Sequence, residues 1–294
     1  MTATVMDGEA LAATIKDDLA ARVAALVDKG VTPGLGTVLV GDDGPSQKYV
    51  SMKHDDCAAL GIASTDVRLG ANATQAEVRE TVFELNSDPS VDAFIVQYPF
   101  PKGSSSDPLD YDAALLAVDP AKDADGLHPV NLGKLVMGAP APLACTPHGI
   151  VKMLEAYDVQ LSGAHVVIVG RGLTIGRPLA NLMALKHGPN SAVTVVHTGV
   201  ADIGSFTRTA DVIVAAAGAP GMITADMVKP GAAVVAAGVS FRDGKVISDV
   251  ADDVADVAGF LSPRIGGVGP MTRAMLLSNA VDAAEASVRQ AVSR

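Results

Sequence analysis

Glycines at 170, 172 and 176 stand at the end of the aliphatic run His165-Val-Val-Ile-Val-Gly170 and open a helix-forming stretch at Arg177-Pro178. The pattern is G-x-G-x-x-x-G, one residue longer than the common dinucleotide fingerprint, and it meets the same physical need. A tight turn brings main-chain N–H groups, and the partial positive charge of a helix N-terminus, against a pyrophosphate. The next aliphatic run, Val193-Thr-Val-Val-His197-Thr198-Gly199, ends without an acid. NAD enzymes usually place Asp or Glu there for the ribose 2′-hydroxyl, and a carboxylate would repel a 2′-phosphate. The Thr198 hydroxyl and the Arg171 cation can instead bind one, so NADP is the expected cofactor.

Tyr49 and Lys53 lie four residues apart in a helical segment and so share one face. A phenol beside a partly desolvated amine can handle protons. Taken alone, the spacing is better explained by an ordinary amphipathic helix. Gln97 ends an aliphatic run just before Tyr98-Pro99-Phe100-Pro101, at the carboxyl edge where α/β sheets bind ligands. A glutamine satisfied by loop backbone explains that position equally well.

The elements that must position these residues alternate. Apolar residues Leu11, Ile15, Leu19, Val23 and Leu26 recur at helical spacing until Gly30. Residues 35–40 form a strand, 46–60 a helix closed by Gly61, and 62–69 a strand. Thr74 and Glu77 form a capping box that opens a helix ended by 86–89, and 93–97 is a buried strand. Beyond a Pro/Gly-rich stretch at 138–142, strands are expected at 165–170, 192–197, 211–216 and 232–238, and a long helix from Pro270 to Arg294. The fold class is therefore α/β with parallel sheets in two domains: 1–140, completed by the helix 270–294, and a Rossmann-like domain, 141–269.

Hydrophobic residues are 49% of the chain, charged ones 19% and aromatics 3%, with no Trp. The core must be aliphatic, as suits a buried parallel sheet. A net charge of −11 argues against nucleic acid and anionic membrane as partners, though not against an anionic ligand in a local basic pocket. Cys57 and Cys145 are the only cysteines, without CxxC or a Cys/His cluster, so neither a disulfide framework nor a structural metal is expected. The acidic N-terminus is unlike a signal peptide and no apolar run has the length of a membrane span, so a cytoplasmic location is expected.

The segments VGDDGPSQKYVSMK, FIVQYPFPKG, DPAKDADGLHPVNLGKL, CTPHG, VIVGRGLTIGRP, ADVIVAAAGAP, VKPGAAVV and GGVGPMTRAMLLSN occur in order across nearly the whole chain. With them the sequence resembles the bifunctional methylenetetrahydrofolate dehydrogenase/methenyltetrahydrofolate cyclohydrolase family. The resemblance implies a catalytic domain and an NADP-binding domain, a folate site in the cleft between them, a C-terminal helix packing back on the first domain, and homodimerisation through the second. It implies that the catalytic lysine is Lys53, with Tyr49 beside it and Gln97 supporting it, and that Asp125 binds the pterin; alone, Asp125 reads as a turn residue. Folate contacts are implied for Val96, Gln97 and Tyr98. Further folate contacts are implied for Ile265, Gly266, Gly267 and Val268, and for Gly269, Pro270, Met271 and Thr272. Cofactor contacts are implied for Gly170, Arg171, Gly172, Thr198 and Val239. Cys145, within CTPHG, is better read as a small packing residue than as a nucleophile.

The implied reactions are hydride transfer from 5,10-methylenetetrahydrofolate to NADP⁺, then addition of water to the methenyl cation to give 10-formyltetrahydrofolate. An ammonium at Lys53 beside that cation is repelled, which favours the amine form that assists water attack. Four positions depart from the family pattern: Gly172 replaces a serine, Ala144 a proline, Ala236 an aspartate and Ile265 a proline. A polyol or amino-acid dehydrogenase such as shikimate dehydrogenase should lack VQYPFP and GGVGPMT. A non-catalytic NADP sensor has no need of Tyr49, Lys53 and Gln97 together.

Overall fold

The computed structural model describes residues 2–101, 108–242 and 245–292. Its elements in chain order are β1 (Thr4–Val5), α1 (Gly8–Val27), β2 (Gly34–Val40), α2 (Gly44–Leu60), β3 (Ala63–Leu69), α3 (Gln75–Ser87), β4 (Ala93–Val96), α4 (Tyr111–Ala117), α5 (Pro129–Val136), α6 (Cys145–Ala156), β5 (His165–Val169), α7 (Gly176–Met183), β6 (Ala192–Val196), α8 (Gly204–Thr207), β7 (Val212–Ala215), β8 (Ala233–Ala236), β9 (Val239–Arg242), β10 (Lys245–Ser248), β11 (Phe260–Leu261) and α9 (Val268–Val292). Lys102 and Gly103, which end the FIVQYPFPKG segment, and the last two residues of the expected C-terminal helix lie outside the described residues.

Of the described residues, those within Ile15–Gly133, Ala141–Leu143 and Leu276–Arg294 form one compact unit. Its sheet is parallel in the order β3-β2-β4. β2 is central and buried along its whole length, whereas the edge strand β3 carries polar residues and is partly exposed. α2 begins where Asp43 accepts from Ser46 N and Oγ at 2.9 and 2.6 Å, and ends at Gly61 with φ of 74°. The expected capping box on α3 is formed: Glu77 N donates to Thr74 Oγ1 at 3.2 Å and Thr74 N to Glu77 Oε2 at 2.7 Å.

Met1–Thr14, Lys134–Pro140 and Ala144–Met275 make the other unit. Six parallel strands run in the order β1-β11-β8-β7-β5-β6. The runs VVIV, VIVA and AVVA in β5, β7 and β8 are completely buried, which is why they lack alternation. Each such valine or isoleucine contributes roughly 1.5–3 kcal/mol by leaving water.

The structure differs from the sequence reading at the N-terminus. Residues 4–5 pair with Phe260–Leu261 as the outermost strand of the six-stranded sheet, so the first fourteen residues join the second unit. Two apolar residues with no flanking pattern do not reveal a partner over 250 positions away. The last helix starts at Val268, two residues before the expected Pro270, because proline is tolerated in a first helical turn. α4, α5, α6 and the antiparallel β9–β10 pair were not expected at all.

Candidate active site

α2 places Tyr49 and Lys53 one turn apart, and the structure joins them. Lys53 Nζ lies 5.5 Å from the centroid of the Tyr49 ring, within reach of its negative face. Tyr49 is 37% exposed and Lys53 only 7%. Gln97 follows β4, with its main-chain N–H donating to Val38 O at 2.8 Å in continuation of the sheet. Its side chain is held at both ends: Oε1 accepts from Lys53 Nζ at 2.9 Å, and Nε2 donates to Tyr98 O at 2.6 Å. A glutamine so fixed aims an acceptor at the amine without adding charge.

Asp125 is presented by a loop that a second acid builds. Asp123 is buried and accepts from Gly126 N at 3.0 Å, His128 N at 2.8 Å and Asn131 Nδ2 at 3.0 Å. Phe94 N donates to Lys122 O at 2.8 Å, so this segment runs along β4. Asn279 on α9 adds a bond to Ala124 O at 2.8 Å. Asp123 therefore serves the loop and Asp125, partly exposed, is left for a ligand. Burial pushes the Asp125 carboxyl up; the Lys53 charge pulls it down and Asp123 pushes it up, with a net upward direction.

Around the corner, the exposed Tyr98 ring meets Tyr111 edge-on at 5.1 Å, and Tyr111 meets Phe100 at 5.5 Å. Burial, then Asp125 and Asp123, push the Tyr111 phenol up. Tyr111 and Asp123 were missed by sequence reasoning. The first lies on a short helix of alanines and leucines, and the second is one of two acids in Asp-Ala-Asp that only main-chain geometry distinguishes. Val96, an expected folate contact, is 3% exposed within the core cluster of Val78, Val82 and Phe94, so it offers a ligand only its main chain.

In the other unit, the glycine loop fits a dinucleotide. Gly170 has φ of 139°, and a Cβ there would overlap the Ala216 carbonyl; a Cβ at Gly176 would overlap Gly170 O. Both glycines are demanded by close backbone approach, whereas the space around Gly172 is open. α7 starts at Gly176 with no side-chain cap; Arg177 N donates to Gly172 O at 3.1 Å and Pro178 has no N–H, so Gly176 N is the first-turn donor open to an anion. β5 is flanked by β6 on one side and β7 on the other, and such a reversal of strand order opens a crevice at the carboxyl edge. Arg171 and Thr198 are both exposed at that edge, and β6 ends in a His197-Thr198-Gly199 turn closed by Gly199 N donating to His197 Nδ1 at 3.1 Å. Val239 is 42% exposed at the start of β9.

Ile265, Gly266 and Gly267 lead into α9, and Val268, Gly269, Pro270, Met271 and Thr272 begin it, in this same unit. Gly266 has φ of 77° and its carbonyl accepts from Glu9 N at 3.0 Å. Gly8 packs so closely on Gly267 that a Cβ would overlap its carbonyl. Thr272 Oγ1 lies 3.0 Å from Thr146 Oγ1, and Gly149 packs on Met271, so CTPHG supports the GGVGPMT turn. Cys145 is buried at the start of α6. Met271 is fully buried, and Ile265, where the family has proline, is 69% exposed. Among the described residues no group of three or more His, Cys, Asp or Glu is placed to hold a metal, and no helix is long and apolar enough to cross a membrane.

Residues 6–125 match the tetrahydrofolate dehydrogenase/cyclohydrolase catalytic domain, and residues 144–288 the NAD(P)-binding domain of the same family. The bifunctional protein FolD of Syntrophotalea carbinolica is 51% identical over 292 residues, 99% of each chain. A crystal structure of the bifunctional FolD of Campylobacter jejuni superposes with a TM-score of 0.91 at 38% identity, over 97% of this chain and 99% of that one. The Trypanosoma brucei FolD complexed with NADP cofactor and an inhibitor gives 0.91 at 37%, over 98% and 99%. With both domains matched and a relative of this identity along its whole length, the chain belongs to the tetrahydrofolate dehydrogenase/cyclohydrolase family.

Proposed function

We propose that the hydrolytic reaction of the family turns on Lys53. The chain is a bifunctional enzyme of one-carbon metabolism: it oxidises 5,10-methylenetetrahydrofolate with NADP and hydrolyses the methenyl product to 10-formyltetrahydrofolate. The observation that carries the reading is the buried Lys53 amine held by Gln97 at 2.9 Å beside Tyr49.

NADP⁺, when bound, accepts the hydride. The glycine loop and the N-terminus of α7 receive its pyrophosphate, and Arg171 and Thr198 receive the 2′-phosphate, since β6 ends without a repelling carboxylate. Asp125 accepts hydrogen bonds from the pterin amino and ring N–H groups. The rings of Tyr49 and Tyr98 offer flat apolar surface to the aromatic parts of the folate. In the hydrolysis, Lys53 in its amine form takes the proton of the attacking water and returns it to the ring nitrogen that leaves. Gln97 fixes Nζ for that transfer, which saves the entropy of finding the geometry. We also infer a homodimer formed through the six-stranded unit. Its edge strand β6 exposes Val195 at 40%, and an uncovered sheet edge favours pairing.

Lys53→Met should lower cyclohydrolase turnover by at least about 100-fold, the usual contribution of a general base, and keep dehydrogenase activity measurable. Undiminished formation of 10-formyltetrahydrofolate by this variant would sink the assignment. NADPH absorbance, with NAD⁺ run in parallel, follows the other half-reaction.

A further inference from the structure

Asp249 is a buried carboxylate that none of the steps above uses. It follows β10 and has no exposed surface. Its Oδ2 accepts from two successive main-chain N–H groups, Ala217 and Gly218, each at 2.8 Å. The Ser240 hydroxyl donates to Gly218 O at 3.2 Å. Gly238, just beyond β8, packs against the carboxylate: a Cβ there would overlap it. Oδ1 is buried without a hydrogen-bond partner among the described residues.

A buried carboxylate is costly unless hydrogen bonds compensate it, and an apolar side chain of similar volume usually serves a fold as well. The location suggests what Asp249 does instead. Ala217 and Gly218 leave β7, whose neighbour β5 leads into the glycine loop, and the Ala216 carbonyl is what Gly170 packs against. Asp249 thus sets the orientation of the chain on one wall of the crevice between β5 and β7, while the glycine loop forms the other.

We propose that Asp249 is a positioning residue for the dinucleotide, holding the 217–218 segment in the conformation that receives the cofactor. This rests on the reading of that edge as the NADP site. Gly238 belongs to the same device, because only a residue without Cβ leaves room for the carboxylate.

The enzyme carries its own control, since hydrolysis of the methenyl folate needs no nicotinamide. Asp249→Ala should raise the KM for NADP⁺ about tenfold, the loss expected for hydrogen bonds to a charged acceptor. The KM for methylenetetrahydrofolate and the cyclohydrolase kcat/KM should stay within about twofold of wild type. Asp249→Asn keeps one acceptor oxygen and should fall between. Gly238→Ala should reproduce the Asp249→Ala effect in the wild-type background and add little to it in the double variant, as expected for two residues acting through one contact. An unmoved NADP⁺ KM would overturn the proposal. So would equal loss of both activities, which would mark Asp249 as a support of the fold alone. Wild-type enzyme unable to reduce NADP⁺ in the same assay would overturn the cofactor reading of this edge and the proposal with it.

Discussion

At Asp125 ligand binding and stability oppose each other. Burial pushes its carboxyl up against the pull of Lys53. A carboxyl whose folded-state pKa lies above its unfolded value binds its proton more readily in the folded chain. Its contribution to stability is therefore present at low pH and is lost as pH rises through the folded pKa. Asp125→Asn removes that ionisation. Its Tm should exceed that of the wild type near pH 7 and converge with it in acid, while the KM for folate rises about tenfold or more with the loss of a charged acceptor. Thermal melts across pH check this; a difference that widens towards acid would refute it. Cys57 shows the opposite use of burial. With Asp56 adding to it, burial pushes the thiol up to about 12, so the group stays a protonated packing residue. The family motif assigns the ligand to Asp125 of the two acids in Asp123-Ala-Asp125; that Asp123 is occupied shows only in the fold, because the bonds that hold it come from main-chain groups three and five residues on.

Elements were legible where a local signal was strong. The capping box of α3, the buried aliphatic strands and the strand–turn–helix of the glycine loop all rest on neighbouring residues, and all are present. α4 and α5 have seven and eight residues, lengths at which isolated helices do not persist in water, so their formation depends on packing that a local pattern does not carry. Within the glycine loop, only the structure distinguishes the roles of the three glycines. Gly176→Ala places a Cβ against the Gly170 carbonyl and should weaken NADP⁺ binding at least about tenfold, as backbone and helix N-terminus are forced apart. Gly172→Ser enters open space, restores the hydroxyl typical of the family, and should bind NADP⁺ at least as well as wild type. Calorimetric titration of both variants with NADP⁺ separates the cases; a damaging Gly172→Ser would show that the space is needed for the cofactor.

For the whole molecule, the inferred homodimer can be tested at a sheet edge. If homodimerisation uses the β6 edge, Val195→Lys puts a charge on the surface that pairing must bury, at a cost of several kcal/mol. Sedimentation should then show wild type at twice the chain mass and the variant shifted towards monomer. A wild-type monomer, or a variant still fully dimeric, would remove the β6 edge from consideration.

The sequence by itself determined the fold class and the NADP preference, and it put Tyr49 and Lys53 on one helix face and Gln97 at a strand end, positions to which only the family resemblance attached a role. Each of these is written in short-range terms: a buried strand's composition, an acid missing after Val196, a four-residue helical spacing. The ordered family segments supplied the folate. Only the tertiary structure decided that β1 belongs to the six-stranded sheet, that Asp123 builds the loop presenting Asp125, and that Asp249 clamps the end of β7. These depend on hydrogen bonds between groups brought together by folding: 256 residues separate Thr4 from its partner Phe260 and 32 separate Ala217 from Asp249. Burial around such contacts gives a carboxylate its role, and nothing in its neighbours along the chain records that burial.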